Sequence, residues 1–566
     1  MVRSFRSVAP SILGVPLLVL TLVAPATGLE RGARASSDAW PVPSERREPP
    51  ALAPTPRDAL TRALRADALS EAEYALERAR SLFALREVRA RFGRVARPEP
   101  RSATLILRDL VARVNELERA DRESALRLLA RPTDGAADPY QDGYTVAEAA
   151  PVCSTNACYH YVTSTDDAPD LTDADLNGVP DWIDALSTVT EQVWATEVTA
   201  LGYRPPKTDA TSPNAGPDGR IDIYVADVGA DGLYGYCATD DPNAFDQSYP
   251  YYDASAFCVV EDDFSVTQFP FGSSGLEALQ VTVAHEFFHA VQFAYDFLED
   301  RWFMEGTATW MEDEVFDAVD DNLQYLFTSP LRRPGVPLDL SDASSGHVYG
   351  AWIWFRFLEE HFQDPAVIRE AWTLADGSAA GPDRYSLQAL EDAVQARGLQ
   401  LRSLFADFGL WNAFPSDVYE EGAAYPAPAF DAKHRVAARK GLVSGAFRMD
   451  HLTTSFVQIA PGRGVGSTSK LLLAIDGPRY ATGPEGSALT VSRSGKVKWY
   501  AVQMNDKGDG TLRVPFGRGK IARVVLILSN ASTRTRCWVD QTFTYSCAGV
   551  PKDDRRPYAY AASLIP

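Results

Sequence analysis

Histidine is rare in this chain, 7 in 566 residues, and so is cysteine, with 6. No two cysteines stand as CxxC, so neither a cysteine-ligated zinc site nor a dithiol redox site has a basis in the sequence. Positive charge is also short: 55 Lys and Arg face 76 Asp and Glu, a net charge of −21. That balance argues against nucleic acid or an anionic membrane as a partner, and it suits solubility and cation binding. Beyond the N-terminal segment no stretch reaches 18 uninterrupted apolar residues, so stable membrane insertion is not expected. Apolar residues still make up 45% of the chain, enough for real cores, and the length suggests two to four domains.

Against this scarcity, two of the few histidines fall in one motif, HExxH, at His285-Glu286-Phe287-Phe288-His289. With this composition the pattern would arise by chance about 0.006 times. No Gly or Pro interrupts 276–305, and apolar residues crowd both flanks, which predicts a largely buried helix. On a helix, residues four apart lie on one face, so both imidazoles can reach one metal ion. Zinc lowers the pKa of a bound water to about 7, and Glu286, beside His285, is placed to take its proton.

A third protein ligand is needed. HExxHxxGxxH is not completed, since position 292 is Gln and position 295 is Tyr. Glu305 and Glu312, seven residues apart in the following WFMEGTATWMED stretch, are the alternatives. Glu305 is preferred, because Gly306 and Ala308 beside it are small and would allow close approach to the histidine helix. Glu312 is left as a supporting carboxylate or a surface acid.

HExxH followed by an EGxA-type Glu resembles the gluzincin zinc peptidases. The wider set, HEFFHAVQ, WFMEGTATWME and a later Tyr-Gly helix, is similar to a family of secreted metalloproteases common in myxobacterial genomes. The resemblance covers roughly 150–420 and implies a zinc peptidase domain. Where gluzincins carry an acidic residue four positions after the glutamate ligand, this chain has Thr309.

The ends of the chain read differently. Arg3 and Arg6, a short apolar run and Ala24-Pro25-Ala26 predict a signal peptide over 1–28, hence a secreted, extracellular protein. Residues 29–148 read as a linker and a helical propeptide. Its 29–56 part is rich in Pro, Arg, Ser and Ala, followed by Ala-, Leu-, Arg- and Glu-rich segments of helical period. Such a segment would block the cleft until export. The cysteines fall as local pairs, 153 with 158, 237 with 258 and 537 with 547, and this pairing is expected among the 15 possible.

Residues 149–420 are expected to form the zinc metalloprotease domain, α+β of zincin type, a small sheet plus a helical lobe. Near its start, Asp173, Asp175, Asn177, Asp181 and Asp184 put side-chain oxygens at positions 1, 3, 5, 9 and 12 of a twelve-residue loop. Gly178 stands at position 6, and Val179 would give its carbonyl, as in EF-hand-type calcium loops. The same residues also suit an Asx-rich turn capping a helix. Asp218, Asp222 and Asp227 offer a second cation group or, more simply, solvated loop acids. Strands are predicted at 159–162, 220–227 and 255–260, and His160 reads as a strand residue. Tyr349 and His347, at the start of an apolar helix, are the candidate donors to the oxyanion, with Tyr349 favoured over His347.

Beyond Pro415 short apolar or alternating runs between Gly-rich turns predict an all-β sandwich over 431–560. In it His434 and His451 look isolated, and a polysaccharide or surface ligand is the partner such a module would suit. The reading is a secreted zinc-dependent endopeptidase acting on protein or peptide, with Ca²⁺ as a structural cofactor. Its rivals are a secreted binding or adhesion protein with a degenerate zinc domain, and a zinc amidase acting on cell-wall peptide.

Overall fold

The computed structural model describes residues 58–134, 143–270, 273–341, 346–539 and 544–565. The expected signal peptide, its cleavage site and the linker lie outside them. The described chain is a mixed α+β protein with a strand-rich C-terminal region. No helix among the described residues is long and apolar enough to cross a membrane. The cysteines pair as expected: 153 with 158, 237 with 258 and 537 with 547.

The N-terminal segment is helical: Ala59–Arg65, Glu71–Phe83, Leu85–Phe92, Ala103–Val111 and Arg119–Leu128. Ser70 and Glu73 close a reciprocal capping box on the second of these, satisfying two otherwise orphaned amides. These helices do not stand apart. Leu76, Leu105, Leu107, Leu110 and Leu128 share one apolar core with the sheet and helices that follow. Arg131 is fully buried and ion-paired to Asp209, Asp222 and Asp240, so its charge is compensated where water cannot reach it.

That sheet has five strands, in the spatial order Val152–Cys153, Ala157–His160, Ile221–Ala226, Phe257–Glu261, Gly235–Ala238. The central three run parallel, and Gly235–Ala238 closes one edge antiparallel to Phe257–Glu261. Against it lies the histidine helix, Gly275–Asp296, followed by the glutamate helix, Arg301–Phe316. Both are buried on nearly every face, as their all-round apolar sequences require. Gly306 does not bring the histidine and glutamate helices together in the way the sequence suggests. A Cβ on Gly306 would come 2.7 Å from Phe355 and 3.3 Å from Ala351, so this glycine admits the helices His347–Gly350 and Trp352–Phe362, not the histidine helix.

Two C-terminal sheets, of five and four strands, share one core built from Val457, Leu471, Leu473, Leu526 and Tyr558. Short apolar or alternating runs of this region form the strands Thr453–Pro461, Lys470–Asp476, Pro484–Ser492, Val497–Ala501 and Ile521–Asn530. Among the described residues six further strands complete this region, among them Arg556–Ile565, which pairs on both sides inside the four-stranded sheet. His434 is not isolated, since its ring contacts the Tyr560 hydroxyl at 2.6 Å.

Nor is His451. Its two ring nitrogens lie 2.7 Å from Asp339 and 2.7 Å from Asp554, joining the β region to the helical part. Burial opposes a charge there, but the two carboxylates outweigh it and raise the imidazole to about 10. An unfolded histidine titrates near 6.5. A group whose pKa is higher in the folded state stabilises fully below the unfolded value and loses that contribution as pH rises. The melting temperature of His451→Gln should therefore lag the parent most near pH 6, and the gap should close towards pH 10. A gap independent of pH would sink this assignment.

Candidate metal centre

The histidine helix places His285 and His289 one turn apart, with ring centroids 4.7 Å apart and planes at 86°. Their Nε2 atoms are 3.1 Å apart. Oε2 of Glu305, from the glutamate helix, lies 3.3 Å from the first and 3.4 Å from the second. All three side chains are fully buried, and Glu305 Oε2 has no hydrogen-bond partner. A tetrahedral ion with bonds of about 2.0–2.1 Å holds its ligands about 3.3 Å apart, so the three atoms fit three corners around zinc. Burial opposes charge on Glu305, but the two imidazoles bring its carboxyl down to about 2. Burial likewise opposes charge on His285, yet Glu305 and Glu312 raise it to about 9.

Each ring is oriented from behind. Glu312 lies 2.8 Å from His285 Nδ1, so the competing glutamate takes the outer nitrogen and leaves Nε2 to the shared centre. Gln292 Oε1 lies 2.7 Å from His289 Nδ1, while its amide donates to Met304 O and Thr307 Oγ1. A carbonyl behind Nδ1 fixes the tautomer that presents Nε2 as a ligand. Glu312 thus supplies orientation although Thr309 does not. In the sequence Gln292 stands only where a three-histidine motif is left incomplete; its position three residues after His289, on the same helical face, is the signal for its orienting role.

Tyr349 reaches the site. Its hydroxyl is 3.4 Å from Glu305 Oε1 and its ring lies 6.3 Å from that of His285. Burial, then Glu305 and Tyr325, raise its pKa, so it stays a proton donor. His347 does not reach it. Its ring nitrogens sit on the Thr328 and Pro337 carbonyls, at 3.0 and 2.8 Å, where it ties two loops to the helix start.

Glu286 meets an unexpected partner. The Thr104 hydroxyl, at the start of helix Ala103–Val111, donates to Glu286 Oε2 at 2.6 Å and accepts the Cys237 N–H at 2.8 Å. Cys237 lies on the edge strand, so that amide points away from the sheet. Glu286 Oε1 has no partner. Three residues before Thr104, Arg101 is buried. It donates to Glu312 at 2.7 and 2.8 Å and pairs with Asp321 at 2.9 Å. Nothing local in the sequence marks Thr104 or Arg101.

The twelve-residue loop folds inward on itself. Asp173 accepts from the Asn177 and Gly178 amides, and Asp184 accepts from the Asn177 side chain at 2.8 Å. Oxygens of Asp173, Asp175 and Asp181 lie within 4.8 Å of one another, and Gly178 takes φ +89°, the turn its position requires. Val179 follows in the same loop, its amide donating to Asn177 Oδ1 at 2.7 Å. Asp218, Asp222 and Asp227 do not assemble. Asp218 pairs with Arg220, and Asp222 with Arg131 and His160. His160 is, as expected, a strand residue.

No protein-family model matches this chain, and no curated protein does.

Proposed function

We infer that the chain is a zinc-dependent peptide hydrolase of the HExxH…E type, with a zincin-like catalytic region, made in a latent form. One observation carries the reading: three ligand atoms 3.1–3.4 Å apart, with Glu286 next along the same helix. His285, His289 and Glu305 would hold the ion, and zinc bound there would supply Lewis acidity and a water acidic enough to ionise near neutral pH. Glu286 Oε1 is the acceptor for that water's proton. Tyr349, kept protonated by burial, is the donor for charge developing on the substrate oxygen. The edge strand Gly235–Ala238 offers its outward amides to an extended peptide, which would add as one more strand.

The ligands and Glu286 are at most 1% exposed, and Thr104 already occupies the Cys237 amide. The N-terminal helical segment therefore acts as the cover, and its removal opens the site. Three disulfides suit an extracellular destination. The loop from Asp173 to Asp184 is read as a calcium site.

Metal titration tests the centre. The chain should bind one zinc, His285→Ala should lose it, and Glu305→Ala should weaken it far more than Glu312→Ala. Stoichiometric zinc in His285→Ala would end the proposal; the reverse glutamate ranking would move the ligand to Glu312.

A further inference from the structure

The parallel strands Ile221–Ala226 and Phe257–Glu261 end side by side, with Ala226 opposite Glu261. Past those ends the chain places three carboxylates together: Asp227, Glu261 and Asp262, with one oxygen from each within 4.8 Å of the others. An oxygen pair on one calcium ion, with bonds of about 2.4 Å, can be separated by at most about 4.8 Å. Among the described residues none of the three takes part in a salt bridge with Lys or Arg.

The innermost member makes this more than an acidic surface. Glu261 is fully buried; its Oε2 accepts the Gly229 amide, no N–H or hydroxyl donates to its Oε1, and the neighbouring acid Asp262 is the other group it meets. A buried carboxylate oxygen without donor or counter-ion is costly unless it is protonated or bound to a cation. Burial, then Asp262 beside it, pushes the Glu261 carboxyl upward; burial, helped by Asp263 and Asp227 and opposed by a hydrogen bond with Glu261, pushes Asp262 upward. The backbone is shaped to the group. A Cβ on Gly229 would fall 2.6 Å from Glu261 Oε1, in the space beside the unpartnered oxygen. Asp227 is held in place as the cap of the turn Val228–Asp231, accepting from the Ala230 amide at 3.0 Å and from Gln268 at 2.6 Å.

We propose that Asp227, Glu261 and Asp262 form a calcium site, separate from the loop at 173–184, that clamps the turn leading into the edge strand. All-oxygen, carboxylate-rich ligation selects a hard cation, and unevenly spaced loop ligands suit calcium better than the strict octahedron of magnesium. The turn it would fix runs directly into Gly235–Ala238, where a Cβ on Gly235 would lie 3.6 Å from the Glu286 side chain. The ion would therefore set the edge strand's position beside Glu286.

The test uses the full chain with zinc held constant and calcium alone as the probe. In a background of Asp175→Ala and Asp181→Ala, which disables the other loop, equilibrium dialysis should still count one bound calcium. Adding Glu261→Gln should weaken that binding at least tenfold, and Asp262→Asn should do the same from the rim of the site. The melting temperatures should cross. Without calcium Glu261→Gln should equal or exceed the background, because a mutual repulsion is relieved; with millimolar calcium it should fall below it. No calcium bound in the double-variant background would overturn the proposal. So would unchanged binding in both added variants, and Asp262→Asn alone decides if Glu261→Gln does not fold. Neither result depends on zinc or hydrolysis, so the peptidase reading stands or falls separately.

Discussion

Once the N-terminal cover is removed, Glu286→Gln is expected to keep one zinc and to lose turnover by on the order of one hundred- to ten-thousandfold, the range for a lost general base. Gln preserves the side chain's size, and while the cover is still in place its carbonyl can accept from the Thr104 hydroxyl, which lies 2.6 Å from Glu286 Oε2, so the variant should fold like the parent. What disappears is a carboxylate oxygen able to take a proton. The ligands His285, His289 and Glu305 are untouched, so metal content is the internal control. Tyr349→Phe makes the contrasting case. It should lower kcat about a hundredfold at nearly constant KM, because the hydroxyl acts chiefly in the transition state. Casein hydrolysis beside zinc analysis reads both. Parental turnover in Glu286→Gln would place the base elsewhere and remove the main chemical role assigned to this helix.

The second large effect concerns the cover. The intact chain should hydrolyse casein at roughly one-hundredth of the rate reached after residues up to 134 have been cut away and separated, the ratio for a segment closed in about 99 of 100 molecules. A specific protease site placed within 135–142 provides the cut. The cleaved segment is expected to remain bound until separated, because Leu105, Leu107 and Leu110 share the main core and Arg101 is paired twice. Thr104→Val combined with Arg101→Gln should speed its release, since buried Glu312 and Asp321 then lose their guanidinium. Size-exclusion chromatography follows the segment while the activity assay follows the site. Full activity in the uncut chain would make these helices a permanent part of the enzyme, with no role in latency.

The division between what could be read in the sequence and what could not follows contact distance along the chain. His285 and His289 are four residues apart, and a helix brings them together by its own pitch. The twelve-residue loop, the disulfide-bonded cysteine pairs and several of the C-terminal strands are likewise local patterns. Period, turn residues and spacing suffice to place them. Glu305 faces both imidazoles, but not for the small-residue reason, since Gly306 makes room for Phe355. The rest depends on tertiary packing. Thr104 meets Glu286 across 182 positions and Arg101 meets Glu312 across 211, and no periodicity in either stretch encodes such a meeting. His347 and Tyr349 are two residues apart at one helix start, yet only packing sends one ring to backbone carbonyls and the other to Glu305. Asp227 follows one strand and Glu261 ends another, and they become neighbours only because those strands pair in parallel register, Ala226 beside Glu261. Local spacing thus determined the metal-binding chemistry expected of this protein, while the packing of the N-terminal helices on the sheet decided that the site is covered.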